Sequence, residues 1–376
     1  MPFYPTFGGC PHTYFDMKKV AVAVSGGMDS SAAAAVLKQK GFSVIGMTML
    51  LPGKNYVLSP KKSSAQQVVQ AAKNVCDRLK IRHYVIDCRK QLEEKVIKDF
   101  VAEYKKARTP NPCIRCNKLV KFPLLLKHAR NYGADFLATG HYVRKVLRKD
   151  YGRYFLKKPV DKKKDQSYFL YGLDRDILPF LVFPLSKFTR QQVIRKVKRL
   201  RLPVLSTGSG SQEICFIGSD YKSFLEKQIQ NRGEKIGSGL IKDSEGNILG
   251  RHKGIYSYTV GQRKGLGIAA GYPLYVVKID SKSNTVIAGR RKELDFKSAI
   301  VRSINLFIDY PKTPLQCKVK IRYKSPQVGA ELIPLPGRML KVVFVKPQPA
   351  VTPGQSAVFY DRDYVLGGGI IERVSG

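Results

Sequence analysis

Acidic residues are scarce in this chain: 28 Asp and Glu stand against 67 Lys and Arg, a formal charge of +39 over 376 residues. The deficit fits a polyanionic partner, because phosphate contacts and counterion release drive sequence-independent binding to nucleic acid; a generally basic proteome is the plain alternative. Seven cysteines are too few for a disulfide scaffold at this length, so a reducing, cytoplasmic setting is expected. No apolar run approaches the length that spans a membrane. The first sixteen residues lack the basic cluster and long apolar core of a secretory signal. They read as an extension ahead of Met17, which is itself a possible start. There is no internal repeat and no low-complexity tract.

What is present suffices for two or three domains. Residues 1–218 carry a net charge of +26, and the remainder divides into +6 for 219–290 and +7 for 291–376. Two basic stretches, Arg144–Lys164 and Lys187–Arg201, make a plausible RNA footprint, and the second contains no acid at all. Up to about Gly218, the apolar runs KKVAVAV, FSVIGMTML, RHYVIDC and ADFLATG alternate with SSAAAAVLKQK, SAQQVVQAAKNVCDRLK and KFPLLLKHARNYG. Strands alternating with helices predict an α/β, doubly wound parallel sheet with ligands at its carboxyl edge. A Gly-rich, short-strand block over 219–291 predicts a small central domain. From residue 292 on, CKVKIRY, LKVVFV and SAVFY alternate like half-buried strands and predict a C-terminal antiparallel β-barrel.

The first strand runs into Ser25-Gly26-Gly27-Met28-Asp29-Ser30-Ser31, with a helix expected to open near Ser30. Two glycines admit close approach of an anion, and a helix N-terminus offers free N–H groups and positive dipole. Asp29 is a candidate Mg²⁺ ligand. The segment is neither a Walker A loop nor a dinucleotide fingerprint. A second segment, Thr109-Pro110-Asn111-Pro112-Cys113-Ile114-Arg115-Cys116-Asn117-Lys118, holds two prolines and is expected to present Cys113 and Cys116 on a loop. Cys215 follows a Gly/Ser-rich stretch. Three chemistries suit these thiols: a persulfide on Cys215 relayed or resolved by Cys116 with Arg115 and Lys118 lowering the thiol pKa; a [4Fe-4S] cluster on Cys113, Cys116 and Cys215; or zinc held by the trio and His141. Cys10, Cys76, Cys88 and Cys317 read as small buried or incidental residues.

SGGMDS is similar to the pyrophosphate loop of the N-type ATP pyrophosphatases. With TPNPCIRCNKLVKF, ATGHYVR, KKKDQSYFL, EICFIG, YTVGQRKGLGI, IRY and TPGQSAVFY in order from residue 18 to the end, the chain resembles the bacterial tRNA-specific 2-thiouridylase family. The resemblance implies an ATP pyrophosphatase domain over 1–218, a central tRNA-positioning domain over 219–291 and a tRNA-binding barrel over 292–376. It implies ATP-dependent 2-thiolation of the wobble uridine in the Lys, Glu and Gln tRNAs, as a tRNA-uridine 2-sulfurtransferase. ATP and Mg²⁺ would be bound, with Ala23, Val24, Ser25, Gly26, Gly27, Met28, Asp29, Ser30, Met49 and Gly140 lining the nucleotide site. Cys116 would be the nucleophile and Cys215 the persulfide carrier, able to join in a transient disulfide. Asn111, Pro112, Cys113 and His141 would meet the target base; Lys164, Asp165, Gln166, Arg322, Tyr323 and Gln355 would contact tRNA. A persulfide carrier or cysteine desulfurase is the implied partner, and a monomer is expected. Many members have aspartate where Cys113 stands, so the substitution creates CxxC and brings the cluster reading closer to the persulfide route. A ligase using a nitrogen nucleophile, which needs no cysteine, and a non-catalytic RNA-binding factor are the rival classes.

Overall fold

The structure is a computed structural model and describes residues 18–52, 64–205, 214–217, 220–231, 233 and 237–376. The N-terminal extension with Cys10, residues 211–213 ahead of Cys215, and the expected boundary at 218/219 lie outside the described residues. The chain divides into two compact units, one of residues 1–95, 113–218 and 363–365 and the other of 96–112, 219–362 and 366–376.

The first unit is built on a five-stranded parallel sheet of β1 (Lys19–Ala23), β2 (Ser43–Leu50), β3 (Arg82–Asp87), β4 (Phe136–Ala138) and β7 (Leu181–Val182), in the order β3-β2-β1-β4-β7. Four of these are the runs expected from sequence. Their near-continuous apolar character suits a parallel sheet covered on both faces. Helix α1 (Met28–Gln39) is buried from Ser30 to Leu37, and its run of four alanines permits close packing on the sheet. Helix α2 (Ala65–Arg78) starts with a capping box between Ser64 and Gln67 and buries Ala71, Ala72, Val75 and Cys76. The chain travels outward from β1 through β2 to β3, then returns to place β4 on the other side of β1. The reversal makes the carboxyl ends of β1 and β4 the topological switch point, where open α/β sheets bind ligands. A hairpin of β5 (Arg144–Arg148) and β6 (Arg153–Lys157) follows, and Tyr364 pairs with Lys157 at its edge.

The second unit holds two sheets. β8 (Gly239–Lys242), β9 (Ile248–His252), β10 (Tyr275–Asp280) and β11 (Thr285–Gly289) pair in the order β10-β11-β8-β9 over a core of Ile241, Leu266, Leu274, Val276, Val286 and Ala288. β12 (Asp295–Leu306), β13 (Leu315–Lys320), β14 (Val328–Leu335), β15 (Met339–Pro349), β16 (Ser356–Asp361) and β17 (Tyr364–Ser375) run in the order β12-β15-β14-β13-β16-β17. Pairing of β12 with β17 closes this antiparallel sheet into the expected barrel and removes its edges. The strand expected over CKVKIRY stops at Lys320: Ser325 Oγ accepts from Arg322 N at 3.1 Å and donates to Arg322 O at 2.9 Å, closing a turn where the ladder would have continued. Segment 96–112 belongs to this unit through Arg108, which donates to Glu103 Oε2 at 2.8 Å and to Ile371 O at 3.0 Å.

Candidate active site

Between Ala23 and Met28 the chain leaves β1 and enters α1 through the phosphate-loop motif. Gly26 has φ +69°, and a Cβ there would lie 2.6 Å from the Cβ of Ala71, so both conformation and space demand glycine. Ser30 Oγ donates to Gly27 O at 3.0 Å and lies 3.1 Å from both the amide and the hydroxyl of Ser25; Ser31 Oγ donates to Gly27 O at 2.8 Å. These bonds fold the loop over the start of α1 and hold the helix N-terminus at the switch point, an anion site by dipole and free amides. From β4, Gly140 comes so close that a Cβ would stand 2.7 Å from Asp29 C and Ser30 N. Met49, half-buried at the end of β2, completes the residues expected at this edge.

Asp29 is engaged on one oxygen. Tyr142 donates its hydroxyl to Asp29 Oδ1 at 2.8 Å, and Arg190 forms an ion pair with the same atom. Burial, reinforced by the Asp29 charge, raises the Tyr142 hydroxyl above the ordinary tyrosine range, so it stays a donor. Arg190 opens the helix Arg190–Arg199, whose Thr189–Gln192 capping box fixes its start. Sequence reasoning did not single out Arg190; its position at a helix start after a basic, capped segment was the available signal.

The cysteines depart from expectation. Pro112–Cys116 is helical, so Cys113 and Cys116 lie in a helix and not on a loop. Proline is at home in a first helical turn, where its missing N–H would have no partner. The helix widens into a π turn, Asn117–Lys121, and then continues as Phe122–Asn131. A π turn closes i to i+5, which brings Lys121 back over Cys116. Desolvation raises the thiols of Cys113 and Cys116, and the Lys121 ammonium opposes it in both; the Lys121 backbone also bonds Cys116. Arg115 is not the activating cation, since its Nε donates to Lys95 O at 2.6 Å; the Lys118 stem lies along Gly172. Lys121 is the cation that opposes the desolvation of both thiols.

Cys215 is exposed to solvent, yet desolvation, reinforced by Cys116 and Cys113, pushes its thiol up to about 12. His141 faces the same cation: burial, then Lys121, lowers it to about 3, so its imidazole is neutral. Its Nδ1 lies 2.8 Å from Thr139 Oγ1, and its ring stacks on Phe122 at 5.8 Å. Among the described residues, no three His, Cys, Asp or Glu side chains converge as ligands of one metal ion. The Cys215 thiol nonetheless lies within electrostatic reach of both Cys116 and Cys113. Of the others, Cys76 and Cys88 are buried as expected, while Cys317 is half-buried.

The sequence matches three family models: tRNA methyl transferase HUP domain over residues 18–219, tRNA methyl transferase PRC-barrel domain over 222–290, and aminomethyltransferase beta-barrel domain over 296–371. It is 45% identical to the tRNA-specific 2-thiouridylase MnmA of Acetivibrio thermocellus over 360 residues, covering 94% of this chain and 99% of that protein. The MnmA of Halothermothrix orenii is 44% identical, with 95% and 99% covered. The chain belongs to the tRNA-specific 2-thiouridylase family. Solved structures align loosely: a U34-tRNA thiolase NcsA from Methanococcus maripaludis with its [4Fe-4S] cluster is 18% identical at a TM-score of 0.32, covering 57% of this chain and 67% of that one.

In this 2-thiouridylase family member, several residues expected at tRNA hold the protein's own backbone. Gln166 accepts from Tyr142 N at 2.9 Å and donates its own N–H to Tyr142 O at 3.1 Å; buried Asp165 accepts from Ser167 N at 2.9 Å. Lys164 is half-buried beside exposed Lys162 and Lys163. In the second unit, Gln355 donates to Thr109 O at 2.8 Å, Arg322 donates to Pro349 O at 3.2 Å, and the Lys320 ammonium lies 5.3 Å from the Tyr323 ring centre. Asn111 is half-buried and Pro112 buried.

Two outcomes follow from this geometry. Gly140→Ala forces the loop backbone away from its position, so ATP consumption should fall by about 10²-fold while far-UV circular dichroism stays unchanged; normal turnover would contradict the close approach. The raised thiols make iodoacetamide labelling slow at pH 7 and increase it with pH beyond the ordinary cysteine range, because the reactive thiolate appears only as pH approaches the raised pKa. Lys121→Met should slow labelling of Cys116 further at every pH, as read by peptide mass spectrometry.

Proposed function

We propose that this enzyme adenylates O2 of a tRNA uridine with ATP and replaces that oxygen with sulfur carried by Cys215. The observation that carries the reading is the run Thr139–Tyr142. Gly140 touches the phosphate loop, Tyr142 binds its Asp29, and His141 shares Lys121 with Cys113, Cys116 and Cys215. One short segment thus joins a phosphate site to a sulfur site. Methyl transfer, the chemistry in the name of the matched family model, needs neither.

The uridine O2 attacks the α-phosphorus and pyrophosphate leaves; the loop amides and serines between Ser25 and Ser31 hold the charge that develops. Mg²⁺ suits this site, because Tyr142 and Arg190 both use Oδ1 of Asp29 and Oδ2 has no partner among the described residues. When bound, it supplies charge neutralisation on the phosphates. The outer sulfur of a Cys215 persulfide attacks C2 and AMP departs. Cys116 thiolate then attacks the Cys215 sulfur, so the two cysteines become a disulfide and the thiocarbonyl is released. The two electrons that reduce the transferred sulfur come from this thiol pair, and an external thiol restores it. Cys113, in place of a carboxylate, leaves Lys121 as the charged group beside Cys116. Asn111, Pro112 and His141 meet the base, extruded from the anticodon loop because its C2 carbonyl is otherwise stacked. The wobble uridine of the Lys, Glu and Gln tRNAs is the substrate, and a cysteine desulfurase or persulfide carrier loads Cys215. The protein works as a monomer in the cytoplasm, with domains at 1–218, 219–291 and 292–376.

Nucleoside mass spectrometry of tRNA after incubation with ATP-Mg²⁺ and a persulfide donor tests this reading. Iron-free enzyme should yield 2-thiouridine, and Cys215→Ser should lower it on the order of 10³-fold or more with tRNA binding intact. Cys116→Ser should accumulate a thiol-cleavable adduct between tRNA and protein. Product formed only after anaerobic cluster reconstitution would overturn the persulfide route, and full activity of Cys215→Ser would overturn the sulfur assignment.

A further inference from the structure

The helix Arg190–Arg199 buries Val193 and Val197 and turns its opposite face to water. From Lys187 to Arg201 every charged side chain is positive. Some of these cations serve the fold. Arg190 pairs with Asp29, and Lys196 Nζ donates to Gln39 Oε1 at 2.6 Å. Arg78 of α2 likewise donates to Leu200 O at 3.4 Å, the service that a helix C-terminus asks of a cation. Arg195, Lys198, Arg199 and Arg201 are exposed, and among the described residues no hydrogen bond or ion pair engages their side chains. Lys187 is exposed in the same way ahead of the helix.

Arg195, Lys198 and Arg199 sit at i, i+3 and i+4, so they form one outward row. The helix begins with Arg190 at the phosphate loop and is about 15 Å long at 1.5 Å per residue. The row therefore leads away from the loop, toward the opposite edge of the sheet. Clustered like charges with no internal partner repel one another, and a polyanion relieves that repulsion.

We propose that this row is a docking track for the phosphate backbone of tRNA outside the anticodon arm that carries the modified base. The proposal rests on the tRNA reading above and adds a place to it. A tRNA stem presents phosphates continuously and is long enough to lie on the row while its anticodon reaches the loop. An acidic sulfur-donor protein fits less well, because it must deliver sulfur to Cys215, and the row leads away from the edge where His141 and the thiols gather.

The triple variant Arg195→Ala/Lys198→Ala/Arg199→Ala, compared with wild type in filter binding across a KCl series, tests the track. For full-length tRNA, the slope of log Kd against log salt should drop by about 3, roughly one for each phosphate that is no longer neutralised. KM for full-length tRNA should rise with kcat unchanged, while thiolation of an isolated anticodon stem-loop stays at the wild-type rate. An unchanged salt slope would overturn the proposal. So would equal losses on tRNA and stem-loop, or weakened binding of an acidic sulfur donor with tRNA binding intact. A wild-type enzyme that forms no 2-thiouridine while the slope difference persists would sink the thiolation reading and leave the track standing.

Discussion

The rest of the site depends on one backbone approach. Gly140 lies so close to the peptide between Asp29 and Ser30 that no side chain fits between them. The contact locks the end of β4 against the start of α1, and the residues on either side inherit their positions from it. Tyr142, two residues on, reaches Asp29; His141, one residue on, stacks on Phe122 directly after the π turn that carries Lys121. Gln166 clamps Tyr142 through both amide groups of that residue's backbone. The phosphate loop and the surroundings of Lys121 are thereby held in register by four consecutive residues just past β4, the kind of support that would keep reacting atoms aligned.

The electrostatics of the sulfur site follow from burial with a single cation. Burial favours protonated thiols and a neutral histidine, so none of these three side chains is poised as a charged base. Activation must come with the reaction itself. In the proposed route a persulfide would extend its ionisable sulfur by one S–S bond beyond Cys215, and adenylation would convert C2 into a centre that a weak nucleophile can attack.

Most of the fold was legible because its signals are local. Continuous apolar runs such as VAVAV can only be satisfied in a sheet covered on both faces, and SSAAAAVL reads as a helix pressed against one. The barrel strands alternate and are broken by Pro and Gly. What escaped was set by tertiary context. The prolines of TPNPC suggested a loop, yet Pro112 begins a helix. The π turn is invisible in composition, and without it Lys121 falls on the wrong side of a regular helix, so Arg115 and Lys118 looked better placed. Arg190 stood out only as one cation among many in a basic stretch. Gln166, Asp165 and Gln355, expected at tRNA, each also bond the protein's own backbone through one side-chain atom, a tertiary role that composition does not reveal.

Adenylation of the base is the central claim, and an isotope tests it most directly. A tRNA carrying ¹⁸O at O2 of the target uridine, thiolated with unlabelled ATP, should transfer one ¹⁸O to the phosphate of the released AMP and none to pyrophosphate. AMP without label, with ¹⁸O recovered in water, would mean that O2 never bonds to the α-phosphorus and that the phosphate loop serves some other step.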